Sequence, residues 1–172
     1  MKTMRLIKKI SIALCLCILL YCGYIFTLFY IASEFTATYP NTEWYKFDVS
    51  TTKLIGNINE FKDNNSKYKL NSQKKKGDRS DKLEDSGNYY HFYFYIPSRK
   101  STMHCIVSMR EESGDFSSVI GLDAISEGTN FATWKDINSQ DLSKEENDAI
   151  KKLFETEILD KLGKWKHKRW YN

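Results

Sequence analysis

The chain carries no charge between Lys9 and Glu34. That run, Ile10 to Ser33, is 24 residues long. As a helix it rises roughly 36 Å, enough to cross a ~30 Å hydrocarbon core with some tilt. It lacks the marks of a segment that is cut away. The apolar core of a signal peptide is usually ~7–15 residues, and small residues are missing at −3: cleavage after Ala32 puts Tyr30 there, and cleavage after Ala37 puts Phe35 there. A lipobox is missing too, because Leu14, Leu16 and Tyr21 precede Cys15, Cys17 and Cys22. Between a cleaved signal peptide, a lipoprotein and an uncleaved signal anchor, the residues favour the anchor, over 10–32. Tyr21, Tyr24 and Tyr30 suit its interfaces.

Other absences narrow the function. Beyond the anchor there is one cysteine, Cys105, so that part has no internal disulfide. The net charge is +4, from 26 Lys+Arg and 22 Asp+Glu, and Lys2, Arg5, Lys8 and Lys9 account for the excess. The rest is electroneutral overall, which argues against nucleic acid as a partner. No G-x-S-x-G surrounds Ser108, Ser117 or Ser118. No Gly-rich loop cradles phosphate. His91 and His104 have no Asp, Glu or Cys at convincing metal spacing, and as general bases they lack an identified nucleophile. Glu111, Glu112 and Asp115 form an acidic cluster; paired carboxylates can do hydrolytic chemistry, and a solvated turn explains them equally well. The expectation is a protein without catalysis, metal or cofactor.

Orientation follows from the flanks. Four basic residues precede the span, and Glu34, Glu43 and Lys46 follow it. The positive-inside rule puts residues 1–9 in the cytoplasm and the C-terminal part outside, on the periplasmic side. Residues 33–47 read as a juxtamembrane connector. Residues 48–172 read as one extracytoplasmic domain, with a polar, flexible loop over 71–87.

Within that domain, Leu54, Ile55, Ile58 and Phe61 repeat at helical spacing and predict a helix over Thr51–Asp63, capped by Ser50 or Thr51. A second helix is predicted over Lys144–Leu162. It opens with a Ser143/Glu146 capping box and stops at Gly163. Strands are predicted at Tyr68–Leu70, Asn88–Ile96, Met103–Arg110, Phe116–Leu122 and Asn130–Asp136. The short Pro97–Thr102 link makes the second and third of these an antiparallel hairpin. The expected fold is α+β: an N-terminal transmembrane helix, then an antiparallel sheet of about four strands with flanking helices on one face.

Strand alternation sorts the aromatic side chains. Tyr90, Phe92, Phe94 and Ile96 belong to the core face with Met103, Cys105, Val107 and Met109. Tyr89, His91, Tyr93 and Tyr95 take the other face with His104 and Arg110. Pairing Ile96 with Met103 would set Tyr95 opposite His104 and His91 opposite Ser108. Tyr and Arg are enriched at interfaces, which makes these six residues the candidate partner-binding set. Cross-strand packing explains such a stripe as well. In the tail, Trp165, Lys168, Arg169 and Trp170 fit contact with the lipid bilayer, Trp at headgroup depth and cations on phosphates; an exposed helix end whose basic residues complement the dipole fits the segment equally.

Two stretches carry a likeness. Phe47-Asp48-Val49-Ser50-Thr51-Thr52-Lys53-Leu54-Ile55 leads into Asn59-Glu60-Phe61-Lys62, and Phe131-Ala132-Thr133-Trp134-Lys135-Asp136-Ile137-Asn138 precedes the last helix. Over most of residues 45–160 the chain resembles small, single-span or lipid-anchored bacterial envelope proteins without assigned function. The resemblance implies an exported domain and a neutralising role in interbacterial competition. It supplies no catalytic residue. The resulting expectation is a membrane-tethered binding module with a protein partner, in its sharpest form an immunity-type protein. The alternatives are an accessory subunit held through the anchor helix, and a small hydrolase using His91 or His104.

Overall fold

The computed structural model describes residues 17–27, 39–70, 80–110, 116–129 and 133–168. They belong to two compact units, Met1–Pro40 and Asn41–Asn172. In the first, residues 17–27 form helix α1, and every side chain on it is exposed, Ile18, Leu19, Leu20 and Phe26 included. Thr27 Oγ1 donates to the Gly23 carbonyl at 2.8 Å. Among the described residues no helix is long and apolar enough to cross a membrane. Residues 10–16 and 28–32 of the expected span, and the basic flank 1–9, lie outside the described residues.

Among the described residues the second unit is α+β, with a seven-stranded antiparallel sheet. Its elements in chain order are β1 (Glu43–Phe47), α2 (Thr51–Asn64), a 3₁₀ turn (Ser66–Tyr68), β2 (Lys82–Leu83), β3 (Tyr89–Ile96), β4 (Ser101–Ser108), β5 (Ser118–Glu127), β6 (Trp134–Asp136), α3 (Lys144–Phe154) and β7 (Trp165–His167). Helix α3 runs on through a π-turn, Glu155–Leu159, and a last α-turn, Asp160–Leu162. The strand order is β2-β3-β4-β5-β1-β7, with β6 also paired to β5.

The helices start where their caps dictate. Ser50 Oγ accepts from Lys53 N–H at 3.3 Å, and Ser143 Oγ accepts from Glu146 N–H at 3.1 Å. Each cap satisfies an amide that the first turn leaves without a helical partner. α2 then buries Leu54, Ile58 and Lys62, and α3 buries Ile150 and Phe154. The π-turn inserts one residue into the helical repeat and turns both Ile158 and Leu159 into the core. Leu54, Ile58, Ile150, Phe154, Ile158 and Leu159 form one apolar cluster with Tyr45 and Phe47 of β1, Phe92, Phe94 and Ile96 of β3, Met103, Cys105 and Val107 of β4, and Ile120, Leu122 and Ile125 of β5. The alternation in β3 and β4 thus separates core from non-core side chains as the pattern predicts.

The sheet exceeds the four strands expected. Residues 43–47, assigned to the connector, are β1, and Tyr45 and Phe47 bury their rings in the core. Residues 82–83, assigned to the loop 71–87, are β2. Residues 165–167 of the tail are β7 and pair with β1. Such short strands are held by their partners and leave too few residues for a period to show. Tyr68–Leu70 is no strand, since Tyr68 closes the 3₁₀ turn and its hydroxyl donates to Glu157 at 3.0 Å.

The hairpin register differs by two residues from the expected one. Ile96 pairs with Ser101, Tyr93 with His104 and His91 with Ile106. The chain turns tightly through Pro97–Lys100, with Lys100 at φ 52°. A slip of two leaves every side chain on its face, which is why the sorting of faces survives the error.

Candidate functional site

The candidate site lies on the sheet face opposite the apolar cluster, and β5 builds its centre. One edge of β5 pairs with β4. The other pairs first with β1, through Ser118–Leu122, and then with β6, through Ala124–Ser126. Asp123 falls between the two partners. It is also the extra residue of a bulge, since Cys105 pairs with Leu122 and His104 with Ala124. Bulges re-aim side chains, and this one brings the Asp123 carboxylate to two neighbours. Thr42 Oγ1 donates to Asp123 Oδ1 at 2.7 Å, and His104 Nδ1 lies 3.0 Å from Asp123 Oδ2.

The row continues across β4 to β3. His104 Nε2 meets His91 Nδ1 at 2.9 Å, and His91 Nε2 faces Glu84 Oε2 at 3.5 Å, just past β2. The two imidazole planes are nearly parallel, 5° apart with centroids separated by 5.1 Å, which suits an edge-to-edge contact at that N···N distance. The side chains in this row are 11–23% exposed. Burial holds His91 below the ordinary imidazole value. The neighbouring His104 adds to that effect, and Glu84 opposes it. Asp136, on β6, is raised above the usual carboxylate range by burial first and then by Asp123 and Asp141.

Aromatic rings pave the surface around the row. Tyr93 stacks on His104 (5.0 Å, 19°), and Trp134 meets His104 edge-on at 5.9 Å. Trp44 on β1 reaches Tyr89 on β3, 6.4 Å between centroids, although β4 and β5 lie between their strands. Gly121 makes this possible. A Cβ there would come within 3.0 Å of the Trp44 ring and 2.3 Å of Thr42 Cγ2, so only a bare backbone lets the indole lie across β5.

Of the predicted partner-binding residues, the fold joins His91 and His104 directly and sets Tyr93 against His104. Tyr93 and His104 are buried. Tyr89, His91 and Tyr95 are half-buried, and Arg110 is exposed just past β4. In the predicted membrane-contact set, Trp165 packs against Tyr45, centroids 5.3 Å apart, and its Nε1 donates to Asp160 at 2.9 Å. The Lys168 amide donates to the Trp44 carbonyl at 2.9 Å. Arg169 and Trp170 lie outside the described residues, as does the acidic turn 111–115.

Sequence reasoning missed Thr42, Glu84 and Asp123. Asp123 had a signal: it is the one charge in the apolar run from Val119 to Ile125. Glu84 and Thr42 had none. Among the described residues, no three His, Cys, Asp or Glu side chains converge to hold a metal ion. The row is linear, each group spent on the next. Compared with known proteins, the chain matches no protein-family model, no curated protein and no solved structure.

Proposed function

We propose that this chain is a membrane-tethered, extracytoplasmic binding module without catalysis, which docks a protein partner on the aromatic face of its sheet. The observation that carries this reading is the half-exposed paving of Trp44, Tyr89, His91, Tyr95 and Trp134, flanked by exposed Arg110. Rings held flat by a sheet present large contact area at little entropic cost, and Tyr, Trp and Arg dominate interface energetics. The histidines support binding over chemistry: both ring nitrogens of His104 are engaged, by Asp123 and His91. An immunity-type protein that sequesters an incoming toxin is the sharpest form of the proposal. The tether rests on the uncharged run 10–33 and on the exposed apolar side chains around α1.

The test is a crosslinked pull-down of the tagged full-length chain from its host's membranes, beside a Tyr89→Ala/Tyr95→Ala/Arg110→Ala variant. These positions are half-buried or exposed, so the fold survives their loss. A stoichiometric soluble partner captured by the parent and lost by the variant supports the proposal. Equal capture by both removes the face from it.

The same α1 side chains favour a second reading, an accessory subunit held by pairing of the anchor helix with a partner helix. Exchanging residues 10–32 for an unrelated apolar span abolishes capture in that case and leaves it intact in the first.

A further inference from the structure

We propose that the partner docked on the aromatic face is an acidic protein surface, apolar at its centre, whose carboxylates on two opposite sides meet lysines at the two edges of the sheet. The proposal rests on the docking reading above and adds the chemistry of the partner to it. Side chains at directly paired strand positions share a face, so the register places these lysines. One row on the face away from the apolar cluster starts at Tyr89, paired with Ser108, and ends with Val119, Lys46 and Lys166, paired in turn. Ser108 and Val119 adjoin because their neighbours Val107 and Ile120 pair. The next row runs Lys82, His91, Ile106, Gly121 and Trp44. The Lys168 amide, bonded to the Trp44 carbonyl, carries this row just past β7.

The two rows share one pattern. Their middle is apolar or aromatic, with Ile106 and Val119 buried and the Trp44 and Tyr89 rings 6.4 Å apart. Their ends are cationic, Lys82 on β2 and Lys46, Lys166 and Lys168 on or beside β1 and β7. None of these positions holds a carboxylate. Lys82 and Lys166 are exposed, and Lys46 and Lys168 are half-buried. Five strand spacings separate β2 from β7, which sets the two cationic ends ~24 Å apart. Asp123, Glu84 and Asp48 flank the rows and are engaged by the chain itself. Asp123 accepts from Thr42, Glu84 Oε1 accepts from Ser86 at 2.5 Å, and Asp48 meets Lys166 at 3.4 Å. The last pair is exposed and therefore weak, so an incoming carboxylate competes for Lys166.

A basic surface laid across these rows meets like charge at both ends, whereas an acidic one meets opposite charge at both, and such complementarity sets specificity and association rate. The uncharged middle asks for an apolar centre, as interfaces have. Every aromatic or aliphatic side chain in the two rows is buried or half-buried. That suits contact with a protein surface rather than insertion of side chains into lipid.

The experiment treats host membranes carrying the full-length chain with a zero-length carbodiimide, which joins an amine to a carboxylate in contact. Mass spectrometry then maps the joined peptides. In parallel, a benzophenone side chain in place of Tyr95 labels whatever lies on the face, regardless of its charge. The expected result joins Lys82, and at least one of Lys46, Lys166 and Lys168, to Asp or Glu side chains of the same protein that the benzophenone labels. Lys82→Glu/Lys166→Glu should cut labelling of that protein at least about tenfold, with an unchanged melting temperature showing that the fold is kept. Labelling of a protein without lysine–carboxylate links, or labelling that survives the charge reversal, overturns this proposal and leaves the docking reading standing. Labelling of lipid alone, or of nothing, overturns both.

Discussion

A Cβ built on Gly121 would lie 2.3 Å from Cγ2 of Thr42. Gly121 lies on β5 and Thr42 directly precedes β1, and their closeness carries the hydroxyl of Thr42 to Asp123 and the Trp44 ring over β5. Gly121→Ala should therefore force β1 outward and loosen Thr42 from Asp123. Overpacking of this kind costs about 1–3 kcal/mol. Urea denaturation should show a lower midpoint at unchanged slope, the sign of lost stability without lost compactness.

Lys62 and Asp81 form a second close relationship. The ammonium is buried on α2, over the rings of Phe92 and Phe94, and it is paired with Asp81. Removing one member of a fully buried pair costs roughly 3–5 kcal/mol, because the other charge is stranded. Asp81 keeps 24% exposure, so Asp81→Ala should cost on the order of 2–3 kcal/mol. The double variant Lys62→Met/Asp81→Ala should recover part of that loss in the same assay. No recovery would mean that the backbone of Tyr93, rather than the stranded charge, dominates.

His91 sets an acid limb. Its affinity for protons is lower in the folded chain than in the unfolded one. The unfolded state therefore binds more protons once pH falls below about 6.5, and stability declines with falling pH. The contribution is fully present above that pH and is lost as pH drops through the depressed folded value. His91→Gln should flatten this limb in urea midpoints measured between pH 7.5 and 5. An unchanged slope would assign the limb to other groups.

Tyr45 sets an alkaline limb. Burial pushes its phenol far above the ordinary value, helped by Glu155 and Glu43, and its hydroxyl donates to Glu155 at 3.4 Å. An unfolded tyrosine ionises near pH 10 while the folded one does not. Stability is thus full below about 10 and falls as pH rises beyond it. Tyr45→Phe should remove that fall, at a cost near neutral pH of about 1 kcal/mol for the lost hydrogen bond. Thermal melts at pH 8 and pH 10.5 separate the two effects.

Much of this fold was legible because long elements repeat their pattern often enough. Eight residues of β3 alternate cleanly, and α3 shows both its cap and its apolar stripe in sequence. β1 and β7 were not legible. Glu43–Phe47 carries two core rings within five residues, and Trp165–His167 has three residues in all. Their pairing with β5 and with each other, not their own preference, makes them strands. In the candidate site the histidines could be found; of the carboxylates, Asp123 left only the mark of one charge in an apolar run, and Glu84 left none. A bulge decides where Asp123 points, and bulges leave little trace in a periodicity. His91 and His104 meet because of a two-residue register, which the turn at Lys100 sets and the hydrophobic pattern leaves open.

The pair on α2 and Asp81 has a consequence for how copies of this chain meet. β2 covers β3 only at Tyr90 and His91. At Tyr93, Asp81 accepts the backbone N–H at 3.0 Å and Lys62 donates to the carbonyl at 3.0 Å. A lysine and an aspartate thus stand where another strand would otherwise attach. Open sheet edges are templates for runaway association, and here two side chains of opposite charge occupy the template. A neighbouring copy approaching β3 at this point finds the backbone already spoken for. Among the described residues, this edge of the sheet therefore ends at Tyr93 on two charged side chains.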